Sequence, residues 1–237
     1  MPAHTACHLY HADSLHKMAE LAEQGISVHH IITDPPYAIS AENQFHTMNN
    51  PRKGVDFGDW DWDFDPAAWL AAAFPLLDQN GSLIVFCSYK FISHICDQIQ
   101  NLGGVVKDVL VWQKTNPMPR NINRRYVQDM EFAVWAVKRK QSKWVFNKPD
   151  NQPYRRAFFQ TPTLLGRERT AHPTQKPLAL MKEITAIHTR PGEVILDPFM
   201  GTGSTGLAAL SQGRGFIGCE RERQWFDIAA ERLKDYL

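Results

Sequence analysis

What this sequence has little of excludes several kinds of protein. Its 237 residues include four cysteines, Cys7, Cys87, Cys96 and Cys219, and no two of them form a C-x-x-C pair. A disulfide scaffold is excluded, and reduced structural thiols are the expected state. Ten histidines show no H-E-x-x-H or similar ligand spacing, so no metal site is expected. Long apolar runs are missing too. The richest, residues 69–77, contains Pro75 and is far too short to span a bilayer. The first residues hold no apolar stretch of signal-peptide length, so a cytoplasmic protein with no membrane partner is expected. Net charge is almost absent, at a formal +1, and neither an internal repeat nor a low-complexity tract is visible.

What is present is an alternation of strand-like and helix-like segments. Apolar, often β-branched runs bounded by turn residues predict strands at 28–33, 82–87, 105–112, 132–137, 193–196 and 215–219, with 7–11 as a further candidate. Helical periodicity predicts helices at 14–24, 66–77, 90–102, 178–189, 204–212 and 222–236. Hydrophobic content of 43% and a length of 237 residues suit one α/β domain covering 1–237, built on a parallel sheet. Two stretches lack periodicity, 38–65 and about 141–171. Loops of that length in a compact domain are usually lids or binding elements.

Near the carboxyl end, the strand Val194-Ile195-Leu196 runs into Asp197-Pro198-Phe199-Met200-Gly201-Thr202-Gly203-Ser204-Thr205-Gly206. Strand, glycine turn and helix in this order let backbone approach a ligand closely. The next strand ends in Glu220, where an acid can accept hydrogen bonds from ribose hydroxyls. The unit reads as a binder of an adenosine-containing cofactor, with Asp197 and Glu220 at the ligand-binding ends of adjacent strands. Gly201, Gly203 and Gly206 also satisfy G-x-G-x-x-G, so a nicotinamide enzyme is a rival reading. Only 31 residues follow Gly206, however, and the rest of the sheet must come from upstream. That is a circularly permuted arrangement.

The strand at 28–33 is followed by Asp34-Pro35-Pro36-Tyr37. The two prolines end the strand and donate no N–H, so the carbonyls here are pure acceptors. An amino group on an aromatic ring is a poor nucleophile because its lone pair is delocalised. Asp34 and the Pro35 carbonyl, gripping its two N–H bonds, would localise that lone pair for in-line attack on a sulfonium methyl. Tyr37 would stack on a base extruded from a duplex. The plain alternative is a proline-rich turn with Asp34 as a helix cap.

Through these two units the chain resembles the amino-methyltransferases of DNA. Asp34-Pro35-Pro36-Tyr37 is similar to their catalytic motif, and the run from Asp197 to Ser204 to their cofactor motif. His172-Pro173-Thr174-Gln175-Lys176-Pro177 resembles a third motif. The catalytic motif comes first, the order of the permuted β class. Length and the run Asn116-Pro117-Met118-Pro119-Arg120-Asn121 resemble the small MboII-type bacterial modification enzymes, which methylate adenine N6. The resemblance spans residues 9–237. It implies a Rossmann-like α/β fold with a seven-stranded, mostly parallel sheet and helices on both faces, and S-adenosyl-L-methionine as cofactor. It further implies that Asp13 contacts the cofactor adenine, Glu220 the ribose and Lys176 the methionine carboxylate. Gly201, Gly203, Ser204 and Thr205 would surround the methionine, with Asp34 nearby and Phe199 packed against the cofactor. A homodimer and a cognate restriction endonuclease are implied partners, alongside double-stranded DNA.

Charge is segregated along the chain. Residues 113–170 carry thirteen lysines and arginines against four acids, so the remainder is acidic. Aromatic residues interleave, as expected of a surface that meets phosphates and bases. Lys114, Arg120, Arg124, Arg125, Arg155 and Arg156 are the DNA-contact candidates here, and a short target-recognition region is expected at about 138–171. Arg52 and Lys53 join them from the 38–65 stretch, read as a lid. Cytosine-N4 methylation by the same chemistry stays open, with Asp34 favouring adenine because cytosine enzymes more often carry Ser at that place. Methylation at carbon 5 of cytosine needs a thiolate, and no Pro-Cys dipeptide exists. RNA or protein-glutamine methylation, and a non-catalytic nucleic-acid-binding subunit, are further readings.

Overall fold

The computed structural model describes residues 6–36, 66–119, 122–164 and 166–237. They form one sheet of eight strands: β1 (Cys7–His11), β2 (Val28–Thr33), β3 (Leu77–Cys87), β4 (Val105–Lys114), β5 (Met130–Val137), β6 (Phe158–Thr161), β7 (Val194–Asp197) and β8 (Gly215–Glu220). Their spatial order is β1-β8-β7-β2-β3-β5-β4-β6. Only β5 runs against its neighbours β3 and β4, and every other pairing is parallel.

The expectation of seven strands is corrected to eight. The additional strand, β6, has four residues and lies inside the stretch read as aperiodic. It is too short to show a period. Pairing with β4 and the Trp112 indole, which donates to the Thr161 hydroxyl at 2.8 Å, hold it at the sheet edge.

The helices are α1 (Ser14–Glu23), α2 (Pro66–Ala73), α3 (Ile92–Asn101), α4 (Leu178–His188), α5 (Ser204–Leu210) and α6 (Arg223–Leu233). They cover both faces, and the strands show why. Ile32, Ile84, Phe86, Trp135, Ile195 and Phe216 face one core with α4, α5 and α6. Their neighbours Ile31, Leu83, Val85, Val134, Leu196 and Ile217 face a second core with α1, α2 and α3. Successive side chains of a strand point to opposite faces, so a sheet covered twice needs apolar residues at every position. Pro75 stops α2 short of the expected 77, leaving a 3-10 turn at Phe74–Leu76 before β3.

The amino ends of the central strands are pinned by imidazoles. His30 Nδ1 accepts from the Ser82 N–H at 3.3 Å, so its Nε2 carries the proton towards Glu193, 2.8 Å away. The Val194 N–H donates to His29 Nδ1 at 3.0 Å. These bonds join β2 to β3 and β7 at the end opposite the candidate site. No helix among the described residues is long and apolar enough to cross a membrane.

Candidate active site

The strands carrying the two main motifs, β2 and β7, are direct neighbours although more than 160 residues separate them in sequence. At their carboxyl ends the Thr33 hydroxyl donates to Asp197 Oδ1 at 2.7 Å. Asp34 follows Thr33 directly, so this bond ties the catalytic candidate to the start of the glycine turn. Asp197 is buried, accepts from the Phe199 N–H at 3.1 Å, and is also bonded by Thr205. Burial pushes its carboxyl up to about 6 against those bonds. Asp197, expected at the ligand-binding end of its strand, is 2% exposed and anchors the turn from inside.

The turn itself is held by backbone. The Met200 N–H donates to the Cys219 carbonyl at 2.9 Å, and the Gly203 N–H to the Met200 carbonyl at 2.8 Å. Gly203 has φ +77°, a left-handed conformation that glycine adopts without strain. Gly206 is required for space instead, since a Cβ there would sit 2.6 Å from the Phe216 ring and hold α5 off β8. Glu220 closes the turn. Its Oε2 accepts from the Gly201 N–H at 3.0 Å and its Oε1 from the Glu222 N–H at 2.7 Å, and burial raises its pKa. Each carboxylate oxygen has further lone-pair capacity for a ribose hydroxyl.

Asp13 caps α1, accepting from the His16 N–H at 3.1 Å. The preceding residue, Ala12, donates its N–H to the Glu220 carbonyl at 3.1 Å, so Asp13 and Glu220 share one rim. Phe199 is half-buried and meets Trp69 edge-on at 5.5 Å. The Ser204 hydroxyl is buried with no hydrogen-bond partner among the described residues. A buried polar atom without a partner costs on the order of 1–3 kcal/mol, and a polar ligand group would satisfy it. The residues present fit an adenosine-type cofactor with a polar tail.

On the other side of Thr33, Asp34 forms an ion pair with Lys176 Nζ. Lys176 is buried and also lies 3.1 Å from Glu131 Oε2 and 5.0 Å from the centre of the Phe86 ring. Burial alone would lower its pKa, but Asp34 and Glu131 hold it raised. The segment that supplies Lys176 also supplies His172, whose ring packs on Trp225 at 4.7 Å and lies against Gly201. Burial, aided by the Lys176 charge, pushes the His172 pKa down to about 4, so its ring is neutral. The third motif therefore spans the site, one end on the glycine turn and the other on Asp34. The resemblance assigned Lys176 to a cofactor carboxylate, whereas in this structure its partners include Asp34 and Glu131. Glu131 was missed. Its one sequence signal is an acid near the start of an otherwise apolar strand.

The sequence pattern of the DNA methylases, the N6/N4 methyltransferase family, matches residues 28–231. The chain belongs to that DNA methylase family. Type II methyltransferase M.HinfI of Haemophilus influenzae is 31% identical over 243 residues, which cover 94% of this chain and 67% of that protein. Type II methyltransferase M2.MboI of Moraxella bovis is 27% identical, over 96% and 87% of the two chains. The crystal structure of the M1.HpyAVI–SAM complex superposes with a TM-score of 0.81 at 46% identity, covering 96% of this chain and 98% of that one. PvuII DNA methyltransferase (cytosine-N4-specific) has the same fold at 19% identity, with a TM-score of 0.72.

The methylase's basic candidates fall into two groups. Lys114 lies 2.6 Å from Glu131 Oε1, and Arg155 lies 2.7 Å from Glu183. Both are only partly exposed, and each already has a carboxylate partner within the protein. Arg124 and Arg125 are exposed on the connection between β4 and β5, next to the fully displayed Tyr126. Arg156 is exposed beside Tyr154, 5.9 Å from its ring centre. Tyr37, Arg52, Lys53, Arg120 and the 38–65 stretch lie outside the described residues.

Proposed function

We propose that this methylase transfers the methyl group of S-adenosyl-L-methionine to the N6 amino group of adenine in double-stranded DNA, as a β-class, MboII-type modification enzyme. The observation that carries the reading is the tie between β2 and β7. It sets Asp34 and the glycine turn side by side at the carboxyl ends of adjacent strands. The complex of the 46% identical M1.HpyAVI with SAM supports the choice of cofactor.

The turn of Gly201, Gly203, Ser204 and Thr205 takes the methionine portion, while Glu220 and Asp13 take the ribose and adenine. When bound, the cofactor supplies an electrophilic sulfonium methyl. Asp34 and the Pro35 carbonyl accept the two N–H bonds of the target amine and localise its lone pair, and Pro36 keeps this exit rigid. Held so, the nitrogen lone pair would be free to take the methyl, with the S–CH3 electrons left on sulfur. The amine's surplus proton passes to Asp34 or to water. Tyr37 supplies the stacking surface for a flipped base. Asp34 at the first motif position supports adenine over cytosine-N4.

Arg124, Arg125 and Arg156, with Arg120, Arg52 and Lys53, serve as DNA contacts, while 38–65 acts as the lid and 138–171 as the recognition region of a single domain. The Type II naming of the relatives supports a cytoplasmic restriction–modification role, with a homodimer and a cognate endonuclease. Incubation with the cofactor and unmethylated duplex DNA, digestion to nucleosides and mass spectrometry test the reading. N6-methyldeoxyadenosine from the wild type and none from Asp34→Ala is expected. N4-methyldeoxycytidine would move the target to cytosine, and no methylated nucleoside would overturn the function.

A further inference from the structure

Glu131 belongs to none of the three motifs, yet it sits in the candidate centre. It is there because β5 is the reversed strand. Glu131 pairs with Trp112 of β4, so the amino end of β5 lies among the carboxyl ends of its neighbours. Its Oε1 is 2.6 Å from Lys114 and its Oε2 is 3.1 Å from Lys176, which is paired in turn with Asp34. Four charges of alternating sign thus form one neutral chain, Lys114, Glu131, Lys176 and Asp34. A buried lysine needs one carboxylate to balance it. A second carboxylate adds a desolvation cost that stability alone does not call for. Held between two carboxylates, the ammonium has a fixed position, which a single ion pair would not give it. Fixing that position fixes the carboxylate of Asp34.

We infer that Glu131 is a positioning residue for methyl transfer: anchored by Lys114, it fixes the Lys176 ammonium, which orients the Asp34 carboxylate towards the target amine. The inference rests on the role given to Asp34 above. Among the described residues, the charged or titratable groups around Asp34 include Lys176 and Glu131, with Asp197 and Cys87 further off. Lys114 and His172 act on that set through Glu131 and Lys176.

The test measures transfer of a labelled methyl group from S-adenosyl-L-methionine to unmethylated duplex DNA as a function of pH, which reads transfer to either base. In Glu131→Gln, kcat should fall roughly 10- to 100-fold while KM for the cofactor stays within about threefold. The acid limb of the rate profile should move to lower pH, because one negative charge no longer opposes ionisation of Asp34. Glu131→Asp keeps the charge but shortens its reach. It should hold the limb in place and lose only part of kcat, and it decides the matter if the glutamine variant does not fold. Wild-type kcat in either variant, or a slower glutamine variant with an unmoved acid limb, would overturn the inference. An inactive wild type would instead overturn the function on which it rests.

Discussion

Ser204 makes a prediction at the scale of one atom. Its buried hydroxyl has no partner among the described residues. Ser204→Ala should therefore leave the thermal midpoint of the protein alone unchanged or slightly raised, while S-adenosyl-L-methionine binding weakens by roughly three- to tenfold, the worth of one hydrogen bond. Calorimetric titration with denaturation scans checks both, and unchanged affinity would remove Ser204 from the cofactor's contacts. At this scale legibility depended on contiguity. Asp34 stood out as a candidate because it opens a tetrapeptide whose chemistry is complete within four residues. Glu131 did not, because its partners lie 17 residues before it and 45 after it in Lys114 and Lys176. Only the reversal of β5 brings these charges together.

Among the elements, α5 and the β4–β5 connection make opposite kinds of prediction. Gly206 lets α5 lie flat on β8, and Gly206→Ala pushes a methyl to 2.6 Å from Phe216. We expect destabilisation of about 1–3 kcal/mol, read as a lowered midpoint in denaturant. The β4–β5 connection should carry binding energy without stability. Replacing Arg124 and Arg125 together by alanine should leave the midpoint and cofactor affinity alone. It should weaken DNA binding and reduce the salt slope by about one for each phosphate the variant no longer touches. A salt slope equal to wild type would show these arginines pointing away from the DNA.

Most elements were legible because period and punctuation agreed. β2 was read at its observed bounds, Val28–Thr33, since it is β-branched and closed by two prolines. β6 was not, since four residues offer one alternation and its stability comes from Trp112 on another strand.

For the whole molecule, buried imidazoles set the response to acid. His188 packs on Trp135 at 4.6 Å, and burial pushes its pKa down to about 3; His172 is held down at about 4. Both stand near 6.5 when unfolded. Between pH 6.5 and about 4 the unfolded chain binds more protons at these two sites. Their contribution to stability is thus full above 6.5 and is lost as pH falls through that window. Asp197 works the other way, because its pKa of about 6 lies above its unfolded value of 3.8. Its folded form takes up a proton first, so it favours the fold as pH falls through 6. Glu220, whose pKa burial also raises, acts in the same sense as Asp197, but each imidazole is shifted further than Asp197 is, and net stability should fall as the pH drops below 6. Unfolding curves between pH 7.5 and 5 measure this. His188→Phe, which keeps an aromatic ring against Trp135, should flatten the slope, and an unchanged slope would place the acid sensitivity elsewhere.

The tie between Thr33 and Asp197 has a consequence for protein engineering. The reacting parts are mounted on two neighbouring strands whose alignment is set by sheet register and one hydroxyl bond, while the exposed arginines ride on a connection between two other strands. The grip on DNA and the reacting groups thus meet only where Lys114 and Glu131 flank the connection. Exchanging Arg124 and Arg125 for residues of a relative would then retune the grip on DNA on the same chassis, leaving turnover to the strands beneath.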